Sequence, residues 1–356
     1  MEKNPFEIDF EEYIRHTDAS KKEKTLAWST AIGLQKVDGL NTSSYLYETA
    51  KKNIEGELSF DEAKKLIDSY YESRISRSDE DERTEEADKV SSRIAQILSE
   101  PSFNFSPSHL IAIHKRLFEG IFKFAGKIRD YDITKKEWVL NGDSVMYGAA
   151  FELKAALDYD FDIERNFKYS GLSNDEIVKH ITFFVSRLWQ IHAFGEGNTR
   201  TTAVFIIKYL RSLGYKVDND IFAENSWYFR NALVRANYKN LKNGIEESPV
   251  YLERFFRNLI LDENNELKNR YTHVDYAEKF GENEESSEKE FGENQKSSEI
   301  ILELLKKNPK LSAKKLSEKI GITSRAVEKQ LATLVEKGLL KRVGSPKGGH
   351  WEILNQ

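Results

Sequence analysis

Several features that mark other protein classes are missing from this chain of 356 residues. It contains no cysteine, which excludes disulfides and thiolate metal sites and is typical of a reducing cytoplasm. No stretch approaches the roughly 18 consecutive apolar residues of a membrane span, and the polar N-terminus lacks the apolar core of a secretory signal. We therefore expect a cytoplasmic protein with no membrane partner.

Proline is scarce as well, with six residues, whereas helix-forming leucine, lysine and glutamate are abundant. Apolar residues recur at helical spacing from Ile177 to Ile191 and again from Val204 to Leu213. Ser59 precedes a further amphipathic stretch and is predicted to cap its N-terminus. Composition and spacing together predict a mainly α-helical fold.

One segment, residues 133–147, departs from this helical pattern. It places Asn141-Gly142 between two short apolar runs. Asn-Gly in that setting is a strong signal for a tight turn between antiparallel strands. We therefore predict one small β-hairpin in an otherwise helical body.

Charge and periodicity divide the chain into four predicted regions. Residues 1–89 form N-terminal helices, and residues 90–260 form a helical core with the strongest apolar periodicity. Residues 261–296 carry eleven acidic and five basic side chains and are predicted to be an acidic linker. Residues 297–356 reverse the sign, with twelve basic and six acidic side chains.

The basic region 297–356 resembles a winged helix-turn-helix domain, with a reading helix that begins at Ser324 and a wing over Leu339–Ile353. One interpretation places Arg325, Lys329 and the wing lysines on DNA phosphates. The other interpretation is a module that docks another protein or joins two copies of this chain as a homodimer, with lysines that only face solvent.

The residues that carry chemistry lie in one run, where a helical stripe ends at Ile191 and the next begins near Asn198. The free N–H groups and the dipole of a helix start form an anion site, and Gly195 and Gly197 let the backbone approach phosphate closely. Arg200 adds a forked, charge-assisted contact.

Two further residues of this loop complete the predicted site. Glu196 would repel phosphate unless a hard cation such as Mg²⁺ lies between them. His192 is placed to take a proton from an incoming hydroxyl. No lysine completes a Walker A motif, and Arg200 stands where a dinucleotide fingerprint has its third glycine. The remaining alternative, a helix–helix turn with a stray histidine, does not account for the whole set of residues.

The run resembles the signature of the Fic (filamentation induced by cAMP) family, His-Pro-Phe-x-Asp/Glu-Gly-Asn-Gly/Lys-Arg-x-x-Arg. The resemblance covers roughly residues 106–258 and implies a helical core with a β-hairpin flap at 133–147, where an extended stretch of a target protein docks. It implies that His192 deprotonates a target hydroxyl, which attacks the α-phosphate of ATP, and that Glu196 holds Mg²⁺. The residues that it implies in nucleotide binding are Gly195, Gly197, Asn198, Thr199, Arg200 and, on a later helix, Tyr228 and Asn237.

The chain departs from this signature at three positions. Ala193 replaces proline, Thr199 replaces glycine or lysine, and Ala203 replaces the second arginine. In the family that arginine contacts the γ-phosphate, so its loss removes a contact worth ~1.5–3 kcal/mol and weakens ATP binding.

Residues 53–56 resemble the end of the inhibitory helix of Fic proteins. The resemblance implies that Glu55 inhibits, either weakly or through a pair with Arg200, because the arginine that receives this glutamate in the family is missing here. The alternative is a plain helix end closed by Gly56.

Residues and resemblance together predict a protein adenylyltransferase, which uses ATP and Mg²⁺ to transfer AMP to a Ser, Thr or Tyr hydroxyl of a target protein. The alternative is a DNA-binding regulator whose Fic core senses nucleotide and is catalytically weak. Transfer of another phosphate-linked group remains open, as does removal of AMP from a modified protein with Glu55 activating water.

Overall fold

Helices dominate the described part of the chain, as the scarcity of proline predicts. A computed structural model describes residues 18–73, 78–217 and 220–276 and, further on, residues 302, 304–306, 308–309, 311–320, 327, 331, 334–335, 340–343 and 350–353. The chain divides into two compact units, Met1–Tyr276 and Ala277–Gln356. No helix in the described ranges is long and apolar enough to cross a bilayer.

The described residues of the first unit form ten α-helices and five short 3₁₀ helices. The α-helices are α1 (Ala19–Gly33), α2 (Ser44–Glu55), α3 (Phe60–Glu72), α4 (Asp79–Ser99), α5 (Pro107–Phe118), α6 (Leu153–Asn166), α7 (Asn174–Ile191), α8 (Asn198–Ser212), α9 (Ile221–Ala236) and α10 (Val250–Leu261). The 3₁₀ helices are Leu34–Asp38, Trp138–Leu140, Ala150–Glu152, Leu241–Asn243 and Asn269–Thr272.

Side chains at the helix ends explain several of these bounds. Ser59 caps α3 and exchanges hydrogen bonds with Glu62, which confirms the predicted cap. Ser173 and Glu176 form the same arrangement at the start of α7. At the end of α2, Gly56 takes a positive φ of 86° that closes the helix.

One continuous apolar core runs through the first unit. It joins Trp28 of α1 and Ile54 of α2 to Phe205 of α8 and Phe255 of α10, all of them buried. The N-terminal helices therefore share their core with the segment that follows residue 90, although the four-region division of the chain stays a prediction.

The β-hairpin predicted at residues 133–147 is not formed. The chain does reverse at Asn141-Gly142, where both residues have positive φ, but the segment contains the 3₁₀ turn Trp138–Leu140 and no β-strand. Val139 and Leu140 are both buried. Consecutive buried side chains suit a helical turn and not a strand, whose side chains alternate between two faces.

The second unit contains α11 (Ala313–Ile320) and the antiparallel strands β1 (Leu340–Val343) and β2 (His350–Ile353), paired with Leu340 opposite Ile353. These strands confirm the predicted wing. A small apolar cluster of this unit contains Leu305, Leu311, Leu316, Val327, Leu331, Leu334 and Leu340. The predicted DNA-contacting residues Arg325 and Lys329 and the linker residues 277–296 lie outside the described residues.

Candidate active site

The predicted phosphate loop joins α7 to α8. His192 is the C-cap of α7 and has a left-handed conformation, with φ 50° and ψ 56°. Helix α8 begins six residues later at Asn198, with Gly197 as its N-cap. Positive φ is uncommon for a residue with a side chain and marks a constrained position. The helix end therefore fixes the direction of the imidazole.

Packing around two glycines of the loop leaves little room for a side chain. Gly197 has φ 76°, and a Cβ there would lie 2.3 Å from the Phe118 ring. A Cβ on Gly195 would lie 2.6 Å from the Tyr131 hydroxyl. Neither position accepts a larger residue without a shift of its neighbours, so close packing gives these glycines a purpose besides the predicted approach to phosphate.

Asn198 holds the loop closed. Its side-chain oxygen accepts from the Phe194 N–H at 3.0 Å, and its amide donates to the Phe194 carbonyl at 2.7 Å. Phe194 is buried and stacks on His114, with ring centroids 3.8 Å apart. Asn198 therefore stabilises the conformation of the loop, and its predicted contact with a nucleotide stays a prediction.

His114 is a loop-positioning residue that the sequence did not reveal. Its Nδ1 accepts from the Gly126 N–H at 2.9 Å, so Nε2 carries the proton and donates to the Glu196 carbonyl at 3.0 Å. Complete burial lowers the pKa of His114 to about 4. The neutral ring therefore holds the loop backbone at neutral pH.

Arg129 is a second positioning residue that sequence reasoning missed. Its guanidinium is buried and donates to the carbonyls of His192 at 2.8 Å, of Tyr131 at 2.6 Å, and of Gly148. A buried arginine surrounded by carbonyls joins three stretches of irregular backbone. A lone arginine far from the signature gave no sequence signal for this role.

His192 is buried at the base of the site. It is 3% exposed, and the Tyr147 ring lies 4.2 Å from its imidazole between centroids. Within the described residues, neither ring nitrogen has a hydrogen-bond partner. Burial, helped by the positive charge of Lys135, lowers the pKa of His192 well below its ordinary value. The imidazole is therefore neutral at neutral pH, with a free lone pair that can accept a proton.

Glu196 faces a lysine across the loop. Its two carboxylate oxygens lie 3.0 and 2.9 Å from the Nζ of Lys135, which belongs to segment 133–147. The Glu196 side chain is 50% exposed. No group of three or more His, Asp or Glu side chains suited to a metal occurs among the described residues. A half-exposed carboxylate fits Mg²⁺ that takes its other ligands from phosphate and water.

Arg200 and Thr199 lie at the other end of the loop and contact side chains of other parts of the protein. The Arg200 guanidinium is 1% exposed and contacts Asp38 at 2.8 Å, Glu86 at 2.6 Å and Gln35 at 3.0 Å. The Thr199 hydroxyl accepts from the Trp189 indole at 3.0 Å. Their predicted contacts with phosphate stay predictions, and the groups that they bind in this structure are protein groups.

The nucleotide residues predicted on the later helix are also engaged within the fold. The Tyr228 hydroxyl is part-buried and donates to the Tyr251 carbonyl at 3.2 Å. Asn237 accepts from the Ser186 hydroxyl at 3.0 Å and donates to the Leu233 carbonyl at 2.9 Å. Their predicted role in nucleotide binding is untested by these contacts.

The predicted pair between Glu55 and Arg200 is not the one that forms. Glu55 contacts Lys21 at 2.7 Å, while Arg200 is held by Asp38 and Glu86. Gly56 closes α2 directly after Glu55, as the alternative interpretation of this segment expected. An inhibitory role for Glu55 stays a prediction.

A buried ion pair holds segment 133–147 against α9. The carboxylate of Glu137, 1% exposed, is bound by both terminal nitrogens of Arg230 at 2.7 and 3.0 Å. The hydroxyl of Tyr147 donates to the same carboxylate at 3.2 Å. Such bidentate pairs are strong and directional, so Tyr147 is fixed over His192.

Two segments of the chain match known protein families. Residues 104–210 match the sequence model of the Fic/DOC family, and residues 297–341 match that of a winged helix-turn-helix DNA-binding domain. The chain is 30% identical over 120 residues to protein adenylyltransferase VbhT of Bartonella schoenbuchensis, covering 33% of this chain and 24% of that protein. It is 25% identical over 119 residues to probable protein adenylyltransferase Fic of Salmonella typhimurium, covering 33% and 56%.

Among solved structures, the N-terminal Fic domain of the Bep8 protein from Bartonella sp. 1-1C aligns with a TM-score of 0.41 at 20% sequence identity, over 52% of this chain and 88% of that one. The matched region spans less than two thirds of either adenylyltransferase. The family match includes the whole loop from His192 to Arg200.

Proposed function

Because this chain contains a Fic domain, we propose that it is a protein adenylyltransferase, which transfers AMP from ATP to a Ser, Thr or Tyr hydroxyl of a target protein. The observation that carries the proposal is His192, a neutral, buried imidazole whose ring nitrogens have no partner among the described residues. Buried polar atoms without partners are rare, and a catalytic role is one of the explanations for them.

The reaction that we propose uses His192 as the base. A ring nitrogen of His192 accepts the proton of the target hydroxyl, whose oxygen forms a bond to the α-phosphorus of ATP. The bond between that phosphorus and the bridging oxygen to the β-phosphate breaks, and pyrophosphate leaves with the electron pair. The proton stays on the imidazole until solvent removes it.

The loop and the start of α8 would hold the phosphates. The first N–H groups of a helix have no acceptor within it and point toward an anion at its N-terminus, here beside Gly197 and Asn198. Mg²⁺ held by Glu196 and phosphate oxygens would supply positive charge to the leaving pyrophosphate. Arg200 and Ala203 offer little free charge, because the first is bound to acidic side chains and the second is apolar.

Segment 133–147 is the surface on which we place the target protein. Its Trp138 is 51% exposed and its Met146 is 85% exposed, although both are large and apolar. Exposed apolar side chains at the entrance of a site are typical of surfaces that bind other proteins. The same segment carries Tyr147, which covers His192.

Transfer of label from α-³²P-ATP in the presence of Mg²⁺, to the protein itself and to a bacterial lysate, tests the proposal. We expect labelling by the wild type and a loss of at least about 100-fold in His192→Ala, the lower limit for a general base. His350→Ala, an exposed histidine of the second unit, is the matched control and should label normally.

Wild-type protein that binds ATP in calorimetry but transfers no label would exclude adenylyl transfer from ATP. Label that persists in His192→Ala would remove His192 as the base.

A DNA-binding regulator is the second candidate function, and the match of residues 297–341 to a DNA-binding domain favours it. Lys341 and Arg342 of β1 are exposed and place positive charge on the wing. Charged contacts to phosphate weaken steeply with salt. A gel shift with duplex DNA at low ionic strength that disappears as salt rises would support this function, and no shift with any duplex at low salt would count against it.

A further inference from the structure

Lys135 occupies the position at Glu196 that a divalent cation would take. We infer that Lys135 is an internal cation of this site, and that Mg²⁺ must displace its ammonium to reach Glu196; this rests on the proposed function. The Nζ lies within 3.0 Å of both carboxylate oxygens, so it faces the same two atoms that would bind a metal. A lysine that approached only one oxygen would leave the other free for a cation.

Contacts on both sides of Lys135 fix its backbone and so hold its side chain close to Glu196. The Lys135 N–H donates to the Ser144 hydroxyl at 3.2 Å across the reversal of segment 133–147. Two residues later, the buried Glu137 is held by Arg230. The side chain of Lys135 is 24% exposed, compared with 50% for Glu196.

Charge explains why the ammonium and the metal exclude each other. Two cations about 4 Å apart repel strongly in the low dielectric of a part-buried site. Glu196 supplies only one negative charge, and the described residues hold no acidic cluster that would balance both cations. A metal bound at Glu196 therefore requires Lys135 to move away from the carboxylate.

Nucleotide binding decides between the two cations. Phosphate oxygens supply the ligands that Mg²⁺ lacks at a single carboxylate, and they also attract a displaced ammonium. Lys135 thus offers positive charge to the phosphates in a chain whose second signature arginine is Ala203. This makes binding of nucleotide less dependent on Mg²⁺ than it would be without the lysine.

The test is the affinity for α,β-methylene-ATP, which cannot transfer AMP, measured by calorimetry with and without Mg²⁺. The quantity of interest is the dissociation constant without Mg²⁺ divided by the dissociation constant with Mg²⁺. We expect this ratio to rise about fivefold in Lys135→Met, the factor that corresponds to losing one part-exposed ion pair. Lys136→Met makes the same change at the exposed neighbour and should keep the wild-type ratio. Lys135→Arg, which keeps the charge, should also keep the wild-type ratio. Lys135→Gln, which removes the charge, replaces the methionine variant if that one does not fold.

Glu196→Gln identifies the site of the effect. This variant removes the carboxylate that Lys135 and Mg²⁺ would share. The affinity for α,β-methylene-ATP should therefore no longer depend on Mg²⁺, whether position 135 is lysine or methionine. An unchanged or lower ratio in Lys135→Met, or an equal rise in Lys136→Met, would overturn the inference. So would α,β-methylene-ATP binding that ignores Mg²⁺ in every variant, or no binding at all.

The inference and the proposed function fail separately. No AMP transfer is measured in these titrations, so a ratio that responds to Lys135 would stand even if the labelling experiment excluded adenylyl transfer. If labelling needs His192 but the ratio of dissociation constants does not change in Lys135→Met, the proposed adenylyltransferase activity is supported and the proposed role of Lys135 is wrong.

Discussion

The two ends of the signature loop differ in what surrounds their polar side chains. At the first end, His192 has no hydrogen-bond partner for either ring nitrogen within the described residues, and the Glu196 side chain is half exposed. At the second end, Asn198, Thr199 and Arg200 are buried and bound to other parts of the protein. One short motif therefore combines a histidine without hydrogen-bond partners among the described residues, a half-exposed carboxylate paired with Lys135, and buried groups that hold the fold.

Removal of charge at the second end should have the largest effect on stability. Arg200→Ala leaves Asp38 and Glu86 without their shared cation in a part-buried site, and we expect the free energy of unfolding to fall by about 3 kcal/mol. Urea unfolding followed by circular dichroism measures it.

Two control variants sharpen that comparison. His192→Ala, at the first end, should lower the free energy of unfolding by at most about 2 kcal/mol, because it leaves a cavity beside Tyr147 but leaves no charge without a partner. Arg116→Ala breaks a half-exposed pair with Glu100 and should cost at most about 1 kcal/mol. A loss as small for Arg200→Ala as for Arg116→Ala would contradict a structural role for Arg200.

Gly197→Ala tests the packing of the loop itself. We expect the free energy of unfolding to fall by about 2–3 kcal/mol, because the new Cβ would collide with the Phe118 ring and the backbone has positive φ. Gly214→Ala is the matched control, since Gly214 has φ 91° with no heavy atom within 4 Å of the added Cβ. Equal losses in thermal unfolding of the two variants would show that backbone strain, and not the Phe118 contact, requires the glycine.

His114 predicts how stability depends on pH. Its pKa is about 4 in the fold and 6.5 when unperturbed, so the unfolded chain binds the proton first as the pH falls. Its contribution to stability is complete above pH 6.5 and is lost down to pH 4, by about 2 kcal/mol at pH 5.

His114→Gln keeps a donor for the Glu196 carbonyl but removes this titration. The variant should therefore lose less stability than the wild type between pH 7 and pH 5, as measured by urea unfolding at both values. His350→Gln, in the second unit, controls for the loss of an exposed histidine. A wild-type slope in His114→Gln would show that other groups cause the acid sensitivity.

The smallest effect is expected at Glu55. Its pair with Lys21 is about one third exposed on both sides, so Glu55→Ala should change the free energy of unfolding by less than about 1 kcal/mol. Self-labelling with α-³²P-ATP should stay near the wild-type level, because Asp38 and Glu86 already hold Arg200. A marked rise in labelling would instead establish Glu55 as an inhibitor.

Local patterns predicted the helices and their ends well. Ser59 caps α3, the apolar stripe that ends at Ile191 forms α7, and the wing strands lie within Leu339–Ile353. Each of these depends on residues a few positions apart, for which spacing and capping are sufficient. The reversal at Asn141-Gly142 was predicted for the same reason, whereas the strands expected on either side were not formed.

The positioning residues were out of reach of such patterns. His114, Arg129, Glu137 and Arg230 each have at least one partner that lies between 19 and 93 residues away along the chain. A single histidine or arginine has no spacing to distinguish it, and no local rule says which carbonyl or carboxylate will face it. The contact between Lys135 and Glu196 belongs to the same class, across 61 residues.

The sequence by itself determined the helical class and the loop with its histidine, glycines and acid, because periodicity, turn residues and spacing are local properties. Only the tertiary structure decided what each side chain of that loop faces. In the described part of the chain, the His192 ring has no hydrogen-bond partner, Arg200 pairs with Asp38 and Glu86, and Glu196 pairs with Lys135. The strength of a charge or hydrogen bond depends on distance and burial, and packing sets both.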